Sequence, residues 1–261
     1  MQTEIWAHRG ASKKYIENTM SAFQQAYDDG ADGIELDVQR TRDGKLVVYH
    51  DENLKRLTGL NTFIWEIDWQ EMKSLELHAL NEDDTNIPLL KDVLDFVKQT
   101  DMTLNIELKN SLYFYPGLEE DVLALVKELG MLEQVLFSSF NHESMKKMSE
   151  LAGVEKCAIL TSDILVEPGT YAKRVGVEAI HPMINAFQQN NFVGNCKEHG
   201  LAVNVWTADE GAHIYAALLF AVDAIITNEP EKAVQLREQF LSDGGTKAVD
   251  VVRAYGRFNI E

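Results

Sequence analysis

The chain has 261 residues, 45% hydrophobic and 25% charged, a composition ordinary for a soluble globular protein that can bury a sizeable core. Its 42 acidic and 24 basic residues give a formal net charge of -18, which argues against nucleic acid or an anionic membrane surface as a partner. The two cysteines, Cys157 and Cys196, are too few for a zinc site or a disulfide framework and are expected to be buried small hydrophobes.

The chain begins with a strand pattern and lacks the basic stretch and apolar run that are typical of a signal peptide. No run of about 18 apolar residues predicts a membrane span. A cytoplasmic protein without stable membrane insertion is therefore expected, and the sequence leaves its oligomeric state open.

Short apolar strands alternate with helical patterns along the chain. Eight main strands are predicted, at 5–7, 33–39, 103–109, 135–138, 156–160, 179–181, 202–206 and 224–227. Helices are predicted after them, at 19–29, 90–99, 118–129, 143–151, 171–175, 192–198, 213–220 and 231–240. Eight strand–helix units favour an α/β fold of the closed (β/α)8 TIM-type over an open doubly wound sheet.

The predicted barrel domain covers residues 1–240, followed by a C-terminal tail, 241–261, that is either loose or packed on the barrel. A further strand at 45–49 follows an Asp-Gly turn after the second main strand. Residues 51–86 then predict a small insertion at the barrel mouth, after the second βα unit.

Charged side chains stand at the ends of the first three main strands, where a barrel carries its reactive groups. His8 ends the first, Glu35 and Asp37 the second, and Glu107 and Lys109 the third. Residues two apart share one face of a strand, so Glu35 and Asp37 point together and repel each other unless a positive charge lies between them.

Three carboxylates without a cysteine favour a hard divalent cation, Mg2+ or Ca2+, over zinc. Arg9 offers a planar fork and Lys109 a point charge for a phosphate. His8 and His50 can divide proton transfer, one removing a proton and the other protonating a leaving alkoxide. Together these residues indicate a metal site for the chemistry of an anionic substrate.

From the residues alone, Trp206 and the remaining five histidines are interpreted as structural or surface residues rather than as parts of the site. Trp206, at the end of the seventh main strand, is more often a core residue than a substrate contact. The other histidines are interpreted as structural or surface residues: His78, His142, His181, His199 and His213.

The order of these motifs resembles the glycerophosphodiester phosphodiesterase family over roughly residues 3–238. The matching segments are His8-Arg9-Gly10, Glu17-Asn18-Thr19, residues 33–38, His50-Asp51, Glu107-Leu108-Lys109, Val205-Trp206-Thr207 and residues 222–230. The resemblance implies a TIM-type barrel that hydrolyses a small glycerophosphodiester to glycerol 3-phosphate and an alcohol.

The resemblance also implies roles for individual residues. His8 and His50 would be the acid/base pair, and Arg9 would contact the phosphate. The implied ligands of the divalent cation are Glu35, Asp37 and Glu107. Possible substrate contacts are Glu17, Asn18 and Trp206.

A few residues depart from the family pattern. Ile16 stands where Pro is usual, and Ala208-Asp209 where a hydrophobic residue and Asn are usual. Ala221 and Ala224 stand where Gly is usual.

Two alternative functions remain open. One is a lysophospholipase D-like enzyme for lipid-bearing diesters, with an apolar groove formed by aromatic residues: Trp65, Trp69, Tyr113, Phe114 and Tyr115. The other is a catalytically silent barrel that binds phosphodiesters, against which the presence of both histidines and all three acids argues.

Overall fold

Parallel strands close a barrel within the residues that this computed structural model describes, 2–78, 85–189 and 191–260. The strands are β1 (Glu4–His8), β2 (Gly33–Arg40), β3 (Leu46–Val48), β4 (Thr103–Leu108), β5 (Val135–Ser139), β6 (Cys157–Thr161), β7 (Ala179–Pro182), β8 (Ala202–Val205) and β9 (Ala224–Thr227). They pair in the order β1-β9-β8-β7-β6-β5-β4-β2, and β1 pairs back onto β2. β3 lies antiparallel on β2, outside the closed ring. The predicted TIM-type barrel is confirmed.

Helices follow the barrel strands along the chain. Their bounds are α1 (Met20–Asp28), α2 (Lys55–Thr58), α3 (Trp69–Met72), α4 (Leu90–Val97), α5 (Leu118–Glu128), α6 (His142–Ala152), α7 (Pro168–Val175), α8 (Phe192–Glu198), α9 (Gly211–Leu219), α10 (Pro230–Asp243) and α11 (Thr246–Tyr255). α7 starts before its predicted position because Pro168 occupies its first turn, where the missing N–H of proline has no helical partner to lose.

β2 shows how strand alternation separates core from site. Ile34, Leu36 and Val38 are buried in the main apolar core with the inner face of α4. Glu35 and Asp37 therefore point into the barrel, on the opposite face of the same strand. One strand thus supplies both the packing that holds the barrel and the acids of the site.

The insertion lies inside the second βα unit rather than between two completed units. It runs from the end of β3 to α4, which is the helix of that unit, so it is a long βα loop. Its described part contains α2 and α3 around a separate apolar cluster that includes Tyr49, Leu54, Ile64 and Met72. Of the predicted span 51–86, residues 79–84 lie outside the described residues.

The end of the chain packs on the barrel as far as it is described. The predicted tail includes the last residues of α10 and all of α11, and α11 lies against α9. His213 and the Tyr255 hydroxyl form a hydrogen bond of 2.9 Å between these helices. No helix among the described residues is long and apolar enough to cross a membrane.

Candidate active site

Three carboxylates converge where β2 and β4 end. The strand register aligns Glu35 with His8 of β1, and Asp37 with Glu107 of β4. One carboxylate oxygen of each acid lies within 4.8 Å of the others. All three side chains are buried, with Asp37 fully inaccessible to solvent. The structure therefore brings together the three acids that the sequence marks as metal ligands.

The cost of burying three acids together is visible in their pKa values. Burial, and then the charges of Asp37 and Glu107, raise the pKa of Glu35 well above its ordinary value. Burial also raises the pKa of Glu107, against the opposing charge of Lys109. Although burial acts the other way, the charges of Arg9 and Lys109 hold the pKa of Asp37 well below its usual range. The cluster is thus only partly neutralised by the side chains around it.

The cluster fits a hard divalent cation. Oε1 of Glu35 and Oδ1 of Asp37 are buried and accept no hydrogen bond from any described residue. Buried polar atoms normally have a hydrogen-bond partner, so two buried carboxylate oxygens without one, in a single cluster, suit a bound cation. All the donors are carboxylate oxygens, the ligand type that Mg2+ and Ca2+ prefer.

Arg9 is held beside the acids by an unusual turn. Arg9 and Asn18 both adopt positive φ angles, 57° and 60°. Between them Gly10, at φ 82°, packs so tightly on α1 that an added Cβ would lie 2.6 Å from the backbone of Ala22. The Arg9 Nε lies 3.2 Å from Asp37 Oδ2, and Asn18 Nδ2 donates to the same oxygen over 2.9 Å. Asn18 therefore orients an acid of the cluster.

Lys109 is the second cation of the site. Its Nζ lies 3.0 Å from Glu107 Oε1 and 3.7 Å from Asp37 Oδ1. Burial disfavours its charge, but Glu107 and Asp37 hold the pKa of Lys109 above its usual value. Lys109 therefore stays protonated and offsets part of the negative charge.

His8 has a defined tautomer because of Asn228 and Asp209. Asn228 donates through Nδ2 to Asp209 Oδ2 over 2.7 Å, which leaves Asn228 Oδ1 facing the His8 Nδ1 at 2.7 Å. Since that oxygen can only accept, His8 carries its proton on Nδ1. His8 Nε2 then faces the site, 3.9 Å from Glu35 Oε2. Burial, with the charge of Arg9, lowers the pKa of His8 to about 4.

His50 is oriented in the same way by a carboxylate. Its Nδ1 lies 2.7 Å from Asp51 Oδ1, which can only accept, so Nδ1 carries the proton and Nε2 is left for chemistry. The other carboxylate oxygen of Asp51 accepts from Arg56 Nε over 2.5 Å. Burial acts in the opposite direction, yet hydrogen bonds from His50 and Arg56 hold the pKa of Asp51 well below its usual range. His50 therefore has a charged partner, whereas His8 has a neutral amide.

The candidate substrate contacts have different surroundings. Glu17 accepts from Arg9 Nη1 over 3.0 Å and from Arg56 Nη2 over 2.6 Å, so its carboxylate is already paired. Trp206 is half-buried at the end of β8, donates through its indole N–H to the carbonyl of His181 over 2.8 Å, and meets the Phe140 ring edge to face.

Four residues of this site have no role that the sequence predicts. They are Asp51, Arg56, Asp209 and Asn228, and each contacts a predicted site residue or its partner. Asn228 follows directly on the last barrel strand, a position that could have suggested it. Arg56 lies in the insertion, where nothing in the sequence marks one arginine among the surface charges.

The aromatic residues of the predicted groove mostly pack on one another. Trp65 stacks between Phe63, at 4.5 Å, and Tyr113, at 3.9 Å between ring centroids. Tyr115 is buried and donates its hydroxyl hydrogen to Gln39 over 3.1 Å. Phe114 remains 61% exposed in the loop after β4. This stack ties the insertion to the loop after β4, at the barrel mouth.

The fold and the site together define a (β/α)8 barrel protein with a buried cluster of three carboxylates and two histidines beside it. The sequence pattern of the glycerophosphoryl diester phosphodiesterase family matches residues 8–232. The chain belongs to this family, so the expectation of an enzyme of this kind is confirmed.

Individual proteins agree with the family assignment. A glycerophosphodiester phosphodiesterase of Bacillus altitudinis is 38% identical over 242 residues, covering 91% of this chain and 99% of the relative. One of Caldanaerobacter subterraneus subsp. tengcongensis is 38% identical over 240 residues, covering 90% and 98%. An Oleispira antarctica phosphodiesterase, solved in complex with the product sn-glycerol-3-phosphate, superposes with a TM-score of 0.79 at 26% identity, covering 91% of this chain and 97% of that one.

Proposed function

We propose that the protein hydrolyses glycerophosphodiesters to glycerol 3-phosphate and an alcohol in a reaction that depends on a divalent cation. The observation that carries the proposal is the buried triad of acids with two histidines beside it. His8 presents Nε2 to Glu35, and His50 is held through Nδ1 by Asp51, which leaves its Nε2 for chemistry. The names of the Bacillus and Caldanaerobacter relatives and the product bound to the Oleispira enzyme support the substrate class.

Glu35, Asp37 and Glu107 would hold the cation, Mg2+ or Ca2+. When bound, such an ion polarises a phosphoryl oxygen and stabilises the charge that develops there. The two unsatisfied carboxylate oxygens of Glu35 and Asp37 are the groups that it would satisfy. Arg9 and Lys109 would add positive charge on the phosphate, as a fork and as a point charge respectively.

The partners of the two histidines suggest how they divide the work. His8 is paired with the neutral Asn228 amide, so a neutral ring with a free lone pair on Nε2 suits a general base. His50 is paired with the Asp51 carboxylate, which orients the ring so that Nε2 can pass a proton to the departing alcohol. In a two-step route through a cyclic phosphate, the two histidines would exchange roles in the second step.

The three candidate substrate contacts, Glu17, Asn18 and Trp206, also have proposed roles. Asn18 and Glu17 are engaged with Asp37 and Arg9, so they act by orienting these groups. Trp206, half-buried at the rim, would contact the glycerol part of the substrate.

A direct assay tests the proposal. Purified protein, stripped of metal with EDTA, is offered glycerophosphocholine, glycerophosphoethanolamine and glycerophosphoglycerol, with and without added Mg2+ or Ca2+. Release of glycerol 3-phosphate that requires the cation is expected. A protein that binds these diesters without cleaving any of them under all conditions would instead be the catalytically silent barrel.

Lipid-bearing diesters are a second candidate because of two exposed apolar side chains near the site. Leu112 is 82% and Phe114 61% exposed, and both lie in the loop that follows Lys109. If this loop contacts an acyl chain, lysophospholipids should be cleaved with a lower KM than the water-soluble diesters. Leu112→Ser with Phe114→Ser should then raise the KM for lysophospholipids alone.

A further inference from the structure

We infer that Arg56, supplied by the insertion, is a positioning residue that aligns the acid/base group His50 and the phosphate-binding group Arg9 through one guanidinium. The inference rests on the proposed function, because it assigns Arg56 a role in that reaction. Arg56 contacts neither group directly. It bonds to Asp51, which bonds to His50, and it bonds to Glu17, which bonds to Arg9.

One side of the guanidinium holds the histidine partner. Arg56 Nε donates to Asp51 Oδ2 over 2.5 Å, while Asp51 Oδ1 accepts from His50 Nδ1 over 2.7 Å. With both oxygens engaged, the carboxylate cannot rotate without losing a charged hydrogen bond. The plane of the His50 ring and its tautomer are therefore fixed from the insertion.

The other side holds the arginine partner. Arg56 Nη1 and Nη2 donate to the two oxygens of Glu17 over 3.1 and 2.6 Å, a bidentate pair. Glu17 Oε1 also accepts from Arg9 Nη1 over 3.0 Å. Since Arg9 Nε lies against Asp37, its guanidinium is held at two points, and one of them depends on Arg56.

A lysine could not replace this arginine. The guanidinium offers three nitrogens in one plane, so it can bind one carboxylate through Nε and another through both Nη atoms. An ammonium is a single point charge, and it would hold one of the two acids at the expense of the other. The fork geometry, rather than the positive charge, is thus what joins the two halves of the site.

The alternative to a positioning role is that Arg56 forms a surface ion pair that only stabilises the fold. The Arg56 side chain is 46% exposed, and exposed ion pairs contribute about 0–1 kcal/mol. Arg42 provides the matched control. It is 54% exposed and makes a bidentate pair with Asp68 of the same insertion, and its side-chain partners in the described part of the chain are Asp68, Glu71 and the Glu66 carbonyl, none of them in the site. The two roles differ in what they change, since a purely stabilising pair alters the melting temperature and not the kinetics.

The first experiment compares Arg56→Gln, Arg56→Lys and Arg42→Gln with the wild type on the diester that it cleaves best. We expect both Arg56 variants to lose about 10–100-fold in kcat/KM, the usual effect of a residue that orients a reactive group, while Arg42→Gln retains it. Wild-type activity in Arg56→Gln would overturn the inference, and wild-type activity in Arg56→Lys would overturn the role of the fork. A wild type inactive on every diester would instead contradict the proposed function.

The second experiment separates the two arms. Asp51→Asn should lower kcat, because an amide has one acceptor oxygen and cannot accept hydrogen bonds from both His50 and Arg56 as the two carboxylate oxygens do. Glu17→Gln should chiefly raise KM, because it weakens the support of Arg9. Arg56→Gln should do both, and adding either change to Arg56→Gln should cost little more. Full additivity of Asp51→Asn and Glu17→Gln with Arg56→Gln would overturn the inference.

A readout independent of turnover completes the test. The side-chain 15N shifts of His50 report which nitrogen carries the proton. We expect a single Nδ1-protonated form in the wild type and in Arg42→Gln, and a mixture in Arg56→Gln. An unchanged His50 spectrum in folded Arg56→Gln would overturn the inference whatever the activity.

Discussion

His8 donates its Nδ1 hydrogen to Oδ1 of Asn228 over 2.7 Å, although 220 positions separate the two residues in the chain. They meet because β1 and β9 are neighbours in the closed barrel and Asn228 directly follows β9. Asp209 fixes the amide by accepting from both its side chain and its backbone N–H. The proton position on His8 is therefore set by the closure of the barrel.

Removal of this partner should impair catalysis more than folding. Asn228→Ala leaves His8 Nδ1 without its acceptor, so the ring can take the wrong tautomer, and kcat should fall about 10–100-fold with KM little changed. Ser12 donates to the same Asn228 oxygen over 2.8 Å without touching the histidine ring, so Ser12→Ala should lose much less. Equal losses in steady-state kinetics for the two variants would contradict the tautomer role.

The two histidines should behave as a pair. His8→Ala and His50→Ala should each lower kcat by about 10²–10⁴-fold, since each removes a positioned proton-transfer group, with smaller changes in KM. Because both act in one reaction, the double variant should resemble the worse single variant. His142→Ala is the control, as His142 bonds to Tyr171 and the carbonyl of Leu160, away from the acids. Near-normal kcat in His50→Ala would make His50 a structural residue.

The acids near the strand ends could be predicted from the sequence. A loop residue that acts on the site only through another side chain, as Arg56 does, could not. Glu35, Asp37 and Glu107 were predictable because alternation fixes their face and the ends of parallel strands converge. Arg56 was not predictable, because its position depends on how the insertion folds over the mouth.

The elements of the barrel could be predicted more accurately than the place of the insertion. The strands and helices of the barrel repeat a simple pattern, so their bounds differ from prediction by only a few residues. The difference in topology concerns the insertion, because the second unit is complete only when its helix is included. The helix at 90–99 is α4, which follows the insertion and leads into β4, the strand that pairs with β2, so the insertion lies inside the second unit.

The affinity for a divalent cation should rise with pH, because the carboxyl of Glu35 has a raised pKa and becomes charged only as pH rises. Its pKa is raised above the ordinary 4.5, so in the metal-free fold its contribution to stability is fully present below about pH 4.5 and is lost as pH rises through the raised value. A bound cation removes that penalty. The rise in melting temperature on adding a fixed concentration of Mg2+ or Ca2+ should therefore grow with pH, because the cation binds more tightly to the ionised carboxylate. At 100 times Kd the added free energy of unfolding is about 2.7 kcal/mol.

Glu35→Gln is the matched variant for this measurement. It removes the titrating group at nearly constant shape, so the metal-free variant should melt higher than the metal-free wild type at neutral pH and should respond little to the cation. Differential scanning calorimetry over mildly acidic to neutral pH gives both quantities. A cation effect in Glu35→Gln as large as in the wild type would exclude Glu35 as a ligand.

Two alanines that stand where the family usually has glycine should differ in their effect on stability. Ala221, two residues beyond the end of α9, has φ 49°, a left-handed conformation that costs an alanine about 1–2 kcal/mol. Ala221→Gly should therefore stabilise the fold, by about 0.5–1 kcal/mol after the greater freedom of glycine in the unfolded chain is counted. Ala224 lies buried within β9, so Ala224→Gly should destabilise it. Urea unfolding with the same sign for both variants would contradict this reasoning.

The glycerol part of the substrate offers a nucleophile of its own. A glycerophosphodiester carries a hydroxyl on the carbon next to the phosphate ester, and His8 could deprotonate it while His50 protonates the departing alcohol. A cyclic phosphate would form, and water would open it with the two roles exchanged. Intramolecular attack needs no separately ordered water in the first step, which is an entropic advantage.

Direct attack by water uses the same residues, so a substrate analogue has to separate the two routes. A diester that lacks the neighbouring hydroxyl should be inert in the cyclic route and cleaved in the direct one. We expect a 2-deoxy analogue to bind, measured as competitive inhibition of the parent diester, but not to turn over, and a cyclic phosphate to appear early in 31P NMR with the parent. Efficient hydrolysis of the 2-deoxy analogue would rule out the cyclic route and leave His8 as the base for water.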